Sequence, residues 1–186
     1  MKPDNTFDII FVLDVDLERD SDSKWRFGVT DHSGTPVLAE WRAMAAERVL
    51  ELGLTEQLVL IGPDEDPARA NDVYPAAVTE DERTIVIGSG AGTAGNLVAI
   101  HEHTGNIPDN ARIGVITNFY HLPRVLLMNL GNAAIEPIAA ESFFVDELQD
   151  KILADYGCTD STFSARLLGE LRGIRDYLTG DYKVAE

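Results

Sequence analysis

The residues best suited to chemistry lie in one short segment, residues 117–124, which follows an apolar run. It contains His121 and Arg124, which are three positions apart and would share a face at the start of a helix. A histidine can act as an acid, a base or a hydrogen-bond donor, and a guanidinium matches the planar geometry of a phosphate or carboxylate. We therefore expect His121 and Arg124 to be the catalytic residues, if a reaction occurs there. The alternative is a histidine that seals a turn and an arginine paired with a surface acid.

A second candidate follows another apolar run and reads Gly88-Ser89-Gly90-Ala91-Gly92-Thr93. Glycines let backbone N–H groups approach a ligand, and the N-terminus of a following helix favours an anion. The spacing fits neither a P-loop, because no lysine follows the last glycine, nor the dinucleotide-binding fingerprint. A tight strand-to-helix turn, capped by Ser89 or Thr93, is the equally weighted alternative.

The acidic residues and the cysteine are weaker candidates for a functional site. Asp14 and Asp16 follow the first apolar run and are weak candidates for holding Mg²⁺, but solvated loop acids are the preferred interpretation, so we expect no metal. Cys158 is the single cysteine, which excludes an intramolecular disulfide and a multi-cysteine zinc site.

Five apolar runs, rich in β-branched residues, predict strands that are covered on both faces, at residues 7–13, 57–61, 84–87, 112–117 and 134–138. Helical patterns lie between them. One has Pro36 in its first turn and ends at Gly53, another starts near Thr93, and a third starts near Pro123. The stripe of the first is Leu38, Trp41, Ala45, Val49 and Leu52. The acidic segment 63–81 predicts one short or broken helix.

Strands that alternate with helices predict parallel pairing through βαβ crossovers. We therefore predict an α/β fold class, a Rossmann-like three-layer α/β/α sandwich with a mostly parallel sheet of about five strands and two extra C-terminal helices. Residues 1–142 would form the sheet domain. Residues 143–186 would form a helical extension packed on it, with helices near 145–156 and 161–178, and these helices are the candidate surface for a homo-oligomer.

The net charge of −17, from 15 Lys and Arg against 32 Asp and Glu, limits the partners. Nucleic acids and anionic membranes bind through clusters of basic residues, which are missing here. No apolar run approaches the ~20 residues that a membrane span needs, and the N-terminus does not read as a signal peptide. We expect a cytoplasmic protein that binds a small anionic ligand, no nucleic acid and no membrane.

Two segments also resemble a known family. The stretch Thr117-Asn118-Phe119-Tyr120-His121-Leu122-Pro123-Arg124 resembles a motif of the SanA/YdcF/ElyC-like domains, long described as a domain of unknown function. Thr93-Ala94-Gly95-Asn96 resembles that family's segment after its third strand, and Arg42, Ala46, Gly53 and residues 58–62 match an upstream stretch. The resemblance covers residues 7–138 and is most specific from Tyr120 to Arg124.

The resemblance implies a Rossmann-like fold with a pocket, an association with envelope biogenesis, and membership of a soluble, cytoplasmic branch. Carried over by position, it implies pocket roles for Thr117, His121, Arg124, Thr93, Asn96 and, more weakly, Arg42. Together with the residues proposed from spacing, the ligand-binding set is Gly88, Ser89, Gly90, Gly92, Thr93, Asn96, Thr117, Asn118, Tyr120 and Arg42.

The leading hypothesis is a protein that binds an anionic or nucleotide-like small molecule at the carboxyl ends of the strands, with hydrolase or transferase chemistry on a phosphate-type group if it is an enzyme. Fold analogy makes a nucleotide or S-adenosylmethionine compatible with the site. Two alternatives stay open. One is a non-catalytic interaction module with a decayed pocket, and the other is a metal-dependent hydrolase that uses Asp14 and Asp16.

Overall fold

The computed structural model describes residues 6–13, 17–28, 38–62, 67–89, 92–105, 107–108, 110–129 and 135–180. The strands are β1 (Phe7–Val12), β2 (Leu17–Arg19), β3 (Trp25–Phe27), β4 (Thr55–Gly62), β5 (Thr84–Gly88), β6 (Ile113–Thr117) and β7 (Ile135–Ala139). The α-helices are α1 (Glu40–Glu51), α2 (Pro67–Val73), α3 (Ala76–Thr79), α4 (Gly92–Thr104), α5 (Leu122–Met128), α6 (Gln149–Asp155) and α7 (Ser161–Thr179). Short 3-10 helices span Phe119–His121 and Ala140–Phe144.

The main sheet has five strands in the order β5-β4-β1-β6-β7, all parallel. Its strands correspond to the five predicted apolar runs. Helices cover both faces of the sheet, and β1, β4 and β6 are mostly buried, whereas the edge strand β5 is partly buried. Alternation along β1 sends Ile10 and Val12 to the face that carries α1, and Ile9 and Phe11 to the face that carries α4 and α5. The predicted α/β/α sandwich with a Rossmann-like arrangement is confirmed.

The hairpin of β2 and β3 was not predicted. Each strand has three residues and pairs antiparallel with the other, which is too short for a visible alternation of apolar and polar residues. The Asp20 carboxylate closes the turn, because it accepts the backbone N–H groups of Asp22 and Lys24 at 2.9 and 3.0 Å. Short polar side chains commonly stabilise turns in this way.

Helix α1 follows the predicted pattern in its middle, but it starts at Glu40, so Leu38 of the predicted stripe lies before it. Trp41, Ala45 and Val49 are buried in the core, and Gly53 adopts a φ of +63° just after the helix, a conformation that glycine tolerates without strain. Leu52 was placed on the buried stripe, and that is wrong, because its side chain is 51% exposed. It follows the last helical residue, so the helical period no longer sets its direction.

The C-terminal helices share the core of the sheet domain. Ile152 of α6 and Leu167, Leu171 and Leu178 of α7 are buried in the cluster that contains Trp41 and Val49 of α1. The first of these helices starts at Gln149, later than predicted, because residues 145–148 form a turn that follows the 3-10 helix Ala140–Phe144. The predicted boundary after residue 142 lies inside that 3-10 helix, and the division into two units stays a prediction.

The strand order reverses between β1 and β6. β1 and β6 are neighbours, but the chain leaves β1 toward α1 on one face and leaves β6 toward α5 on the other. At such a switch point the connections diverge, and ligands of open α/β sheets bind beyond the carboxyl ends of the two strands. The two strands stay paired up to this edge, where the Leu13 N–H donates to the Ile116 carbonyl at 3.1 Å.

Candidate functional site

Residues 117–124 lie at the switch point, because Thr117 ends β6 beside the end of β1. The chain then turns through the 3-10 helix Phe119–His121 into α5, whose first turn contains Pro123. Proline suits this position because the first helical N–H groups have no partner within the helix. The predicted helix start near Pro123 is therefore present, and it carries Arg124 on an exposed position of the first turn.

Asn118 is the polar centre of this edge. Its side chain is fully buried, and its amide oxygen accepts a hydrogen bond from Arg42 Nε at 2.7 Å. Its amide nitrogen donates to Glu141 Oε1 at 2.8 Å and to the Leu38 carbonyl at 2.9 Å. Since a guanidinium only donates and a carbonyl only accepts, the orientation of this amide is fixed by its partners.

Arg42 reaches the site from α1 and is only 2% exposed. Besides Asn118, its Nη1 donates to the Leu13 carbonyl at the end of β1, at 3.2 Å. Its Nη2 lies 3.4 Å from Nδ1 of His121. Burial of a guanidinium is expensive unless polar groups surround it, so these contacts tie the first helix, β1 and the 117–124 segment together around one positive charge.

His121 lies at the surface side of this cluster and is partly buried. Arg42 can only donate, so a hydrogen bond between the two would be accepted by Nδ1 of a neutral imidazole, whose proton would then lie on Nε2. The Tyr120 ring packs against the His121 ring with centroids 4.5 Å apart and an interplanar angle of 74°. Tyr120 itself is 38% exposed, so an aromatic ring flanks the histidine at the opening of the crevice.

Two further residues of the site were missed by sequence analysis. Glu141 follows β7 and is fully buried, and its carboxylate accepts from Asn118 and from the Tyr156 hydroxyl at 2.7 Å. Its second oxygen accepts the Phe119 N–H at 3.0 Å. Burial, and next the nearby Glu141 charge, hold the pKa of the Tyr156 phenol far above its usual range. The available signal was a lone acid inside the apolar run around residues 138–145.

The backbone at Leu38 is strained where it meets this cluster. Leu38 has a φ of +52°, a left-handed conformation that costs a residue with a side chain roughly 1–2 kcal/mol. Its carbonyl oxygen accepts from Asn118, so the cluster holds the strained residue in place. Such strain persists where the surrounding structure fixes it, and it is concentrated at functional sites.

Thr117 contributes a buried hydroxyl at the switch point, and Thr6 and Thr84 contribute comparable buried hydroxyls elsewhere in the sheet domain. The Thr117 side chain is fully buried, and its hydroxyl has no hydrogen-bond partner in the part of the chain that the structure describes. Buried hydroxyls are nearly always bonded, and an unpaired one costs about 1–3 kcal/mol. A polar group of this kind at the switch point is consistent with a role in binding.

The glycine-rich segment lies at a different part of the same edge. Gly88 ends β5, α4 begins at Gly92, and the Ser89 hydroxyl donates to Asn96 Oδ1 at 2.8 Å. Asn96 is buried and Thr93 partly so. Two strands separate β5 from β6, so three spacings of about 4.8 Å place their ends roughly 14 Å apart.

Three of the predicted site residues, Gly90, Asp14 and Asp16, lie outside the described residues. Among the residues that are described, no group of three or more His, Cys, Asp or Glu is arranged to hold a metal ion. In that same part of the chain, none of the helices combines the length and apolar character needed to cross a membrane.

The fold and the site together define an α/β domain of Rossmann-like order with a buried polar cluster at its switch point. Comparison of the chain with family models, with curated proteins and with solved structures found no match.

Proposed function

We propose that the protein is a SanA/YdcF-like small-molecule-binding protein that takes an anionic or nucleotide-like ligand at the carboxyl ends of β1 and β6. His121 and Arg124 would contact the anionic group, and Tyr120 would lie beside it. If the ligand reacts, the reaction is hydrolysis or transfer at a phosphate-type group. The proposal places this activity in the cytoplasm.

The observation that carries the proposal is the buried Thr117 hydroxyl, which has no hydrogen-bond partner among the described residues and lies where the strand order reverses between β1 and β6. Two features support it. Leu38 is strained beside the same cluster, and the exposed Arg124 and partly buried His121 stand at the same edge. Unpaired polar groups and backbone strain both lower the stability of the fold, and both are found at ligand sites.

Each residue has a distinct task in the proposal. The protonated Nε2 of His121 would donate a hydrogen bond to an anionic oxygen. Arg124 would add a planar, charged pair of donors. The Thr117 hydroxyl would bond a deeper polar atom. In a chain of net charge −17, an anion gains little from long-range attraction, so local donors must hold it.

The position of the glycine-rich segment bears on how long the ligand would be. A phosphate held by His121 and Arg124 cannot also reach Ser89, because the two strand ends are roughly 14 Å apart. A ligand that contacted both would have the length of a nucleotide. A nucleotide or S-adenosylmethionine fits this requirement, and a lone phosphate ion does not.

Calorimetric titration tests the proposal. Inorganic phosphate, adenosine monophosphate, a sugar phosphate and S-adenosylmethionine would each be titrated into the wild type and into His121→Ala/Arg124→Ala. We expect binding of at least one nucleotide or sugar phosphate by the wild type and its loss in the variant. His103→Ala/Arg172→Ala is the matched control, because it removes the same residue types away from the crevice. Equal binding by all three proteins, or by none, would contradict the proposal.

A second candidate function is a non-catalytic interaction module. It is favoured by apolar side chains exposed on the α4 and α5 face, where Val98, Leu126 and Leu127 are 55%, 52% and 68% exposed. Association through the C-terminal helices stays a prediction. Light scattering on the wild type, on Leu126→Glu/Leu127→Glu and on Arg172→Glu would separate the two surfaces. A monomeric mass for the wild type would count against self-association through either.

A further inference from the structure

We infer that Glu141 is a positioning residue of the ligand site, which acts through Asn118 and Arg42 to hold His121 as a hydrogen-bond donor at Nε2. This inference rests on the proposed ligand site. It adds residues that neither spacing nor resemblance indicated, and it assigns Asn118 and Arg42 to positioning rather than to ligand contact.

The first step is the carboxylate itself. Glu141 accepts three hydrogen bonds, from Asn118 Nδ2, from the Tyr156 hydroxyl and from the Phe119 N–H, at 2.8, 2.7 and 3.0 Å. These donors belong to the end of β6, to the residue after α6 and to the 3-10 helix that carries His121. One buried carboxylate therefore fixes the start of the turn on which the histidine is mounted.

The second step is the amide of Asn118. Both of its hydrogens are used, by Glu141 and by the Leu38 carbonyl, and its oxygen accepts from Arg42 Nε. The side chain is fully buried. A ligand therefore finds no donor on Asn118 to bind, and the amide instead links the carboxylate to the guanidinium in a fixed direction.

The third step is the contact between Arg42 and His121. The guanidinium is held on one side by Asn118 and on another by the Leu13 carbonyl, at 2.7 and 3.2 Å. This leaves Nη2 to face Nδ1 of His121 at 3.4 Å. A hydrogen bond between the two would be accepted by Nδ1 of the neutral imidazole, whose proton would then lie on Nε2. Displacement of Arg42 would remove the donor that selects this tautomer.

Glu141 and Arg42 are two buried residues of opposite charge in the same cluster. Arg42 and Glu141 are 2% and 0% exposed, and a single buried charge without a counter-charge is strongly unfavourable. The amide of Asn118 lies between the two groups and bonds to both. Neutralising Glu141 therefore weakens the hold on Asn118, which is the change that the test exploits.

The test compares Glu141→Gln and Tyr156→Phe with Glu147→Gln. The last removes the same charge from an exposed acid that pairs with Arg48 at the surface, so it controls for net charge. The protein would carry ¹⁵N-labelled histidine, and multiple-bond ¹H–¹⁵N spectra would report the tautomer of His121, identified by loss of its signals in His121→Asn. Binding of adenosine monophosphate would be titrated in parallel.

We expect the wild type and Glu147→Gln to show His121 with the proton on Nε2 alone. In Glu141→Gln a share protonated at Nδ1 should appear, and binding should weaken on the order of tenfold, the lower end of what loss of an outer hydrogen-bond partner costs a metal ligand. Tyr156→Phe removes one of three donors and should give a smaller change of the same kind. If Glu141→Gln does not fold, this milder variant decides the matter.

The two proposals fail in different ways. If no ligand of the panel binds the wild type, the proposed function is wrong, but the tautomer spectra still test the positioning role. If Glu141→Gln and Tyr156→Phe both match Glu147→Gln in spectrum and affinity, Glu141 is only structural and the inference is overturned. A loss of stability without a change in the His121 signals would overturn it as well.

Discussion

The carboxyl edge of the sheet contains two polar regions that are built differently. At the end of β5, the Ser89 hydroxyl bonds Asn96, seven residues along the chain. At the end of β6, Asn118 bonds Arg42 and Glu141, which are 76 and 23 positions away. The first region is a local turn that any strand-to-helix connection needs. The second draws polar groups from distant elements into the interior, which folding alone does not require.

This difference gives each region an expected energetic signature. Hydrogen bonds within a local turn contribute modestly to stability, whereas removing one member of a buried charged cluster leaves its partners unsatisfied. Substitutions in the polar regions at the ends of β5 and β6 should therefore differ in their effect on the free energy of unfolding. The largest expected effect is at Glu141, and the smallest is at Ser89.

Glu141→Ala should have the largest effect. It removes an acceptor from Asn118, Tyr156 and Phe119 at once, and we expect a loss of about 3–5 kcal/mol in the free energy of unfolding. Urea denaturation measures it. Glu147→Ala, an exposed acid paired with Arg48, should cost less than about 1 kcal/mol. A similarly small loss of unfolding free energy in both variants would mean that the hydrogen bonds of Glu141 to Asn118, Tyr156 and Phe119 do not stabilise the fold.

Tyr156→Phe should change how stability depends on pH. Burial and the Glu141 charge raise the pKa of the folded phenol above its ordinary value of 10.0. Above that pH the unfolded chain loses this proton while the folded chain keeps it, so stability falls as pH rises, by up to about 1.4 kcal/mol per pH unit. Below it, the group adds no slope.

The variant loses the hydrogen bond to Glu141, so its stability should be about 1 kcal/mol below the wild type at neutral pH. Because it also lacks the ionisable group, the gap should close as the pH passes 10. Urea denaturation across this pH range gives both curves. Curves that stay parallel above pH 10 would show that Tyr156 is not buried against Glu141 as described.

Thr117→Val should raise stability and weaken binding. Valine has nearly the same shape and removes a buried hydroxyl that lacks a partner in the described part of the chain, so we expect a gain of about 1 kcal/mol in the free energy of unfolding. Thr84→Val is a matched control, because Thr84 also has a buried, unpartnered hydroxyl but starts β5 at the opposite edge of the sheet. Only Thr117→Val should reduce nucleotide affinity; equal affinity in the two variants would remove Thr117 from the site.

Ser89→Ala should have the smallest effect. It removes the hydrogen bond to Asn96 at 2.8 Å, for an expected loss of about 0.5–1 kcal/mol in the free energy of unfolding. The same denaturation experiment measures it. A loss as large as that of Glu141→Ala would erase the contrast between the two regions and would make the glycine-rich turn a second buried cluster.

The sequence predicts much of the fold because its signals are local. Continuous apolar runs reveal the five strands of the main sheet, and Gly53 and Pro123 mark a helix end and a helix start. The hairpin of β2 and β3 could not be predicted, because strands of three residues are too short to show an alternation of apolar and polar residues. The direction of Leu52 escapes because it follows the helix.

The candidate site is predictable only in part, for the same reason. The 117–124 segment stands out by its own composition, and the sheet order then places it at the switch point. Glu141 and Tyr156 do not stand out, because their role depends on hydrogen bonds to residues that are distant in sequence. Local spacing contains no information about which acid a buried amide will meet.

The central claim is that the crevice between β1 and β6 binds an anionic ligand through His121 and Arg124. Backbone ¹H–¹⁵N spectra, recorded while adenosine monophosphate is added, test it residue by residue. We expect saturable shifts centred on residues 117–124, and their loss in His121→Ala/Arg124→Ala but not in His103→Ala/Arg172→Ala. Spectra that do not change, or saturable shifts confined to other parts of the chain, would contradict it.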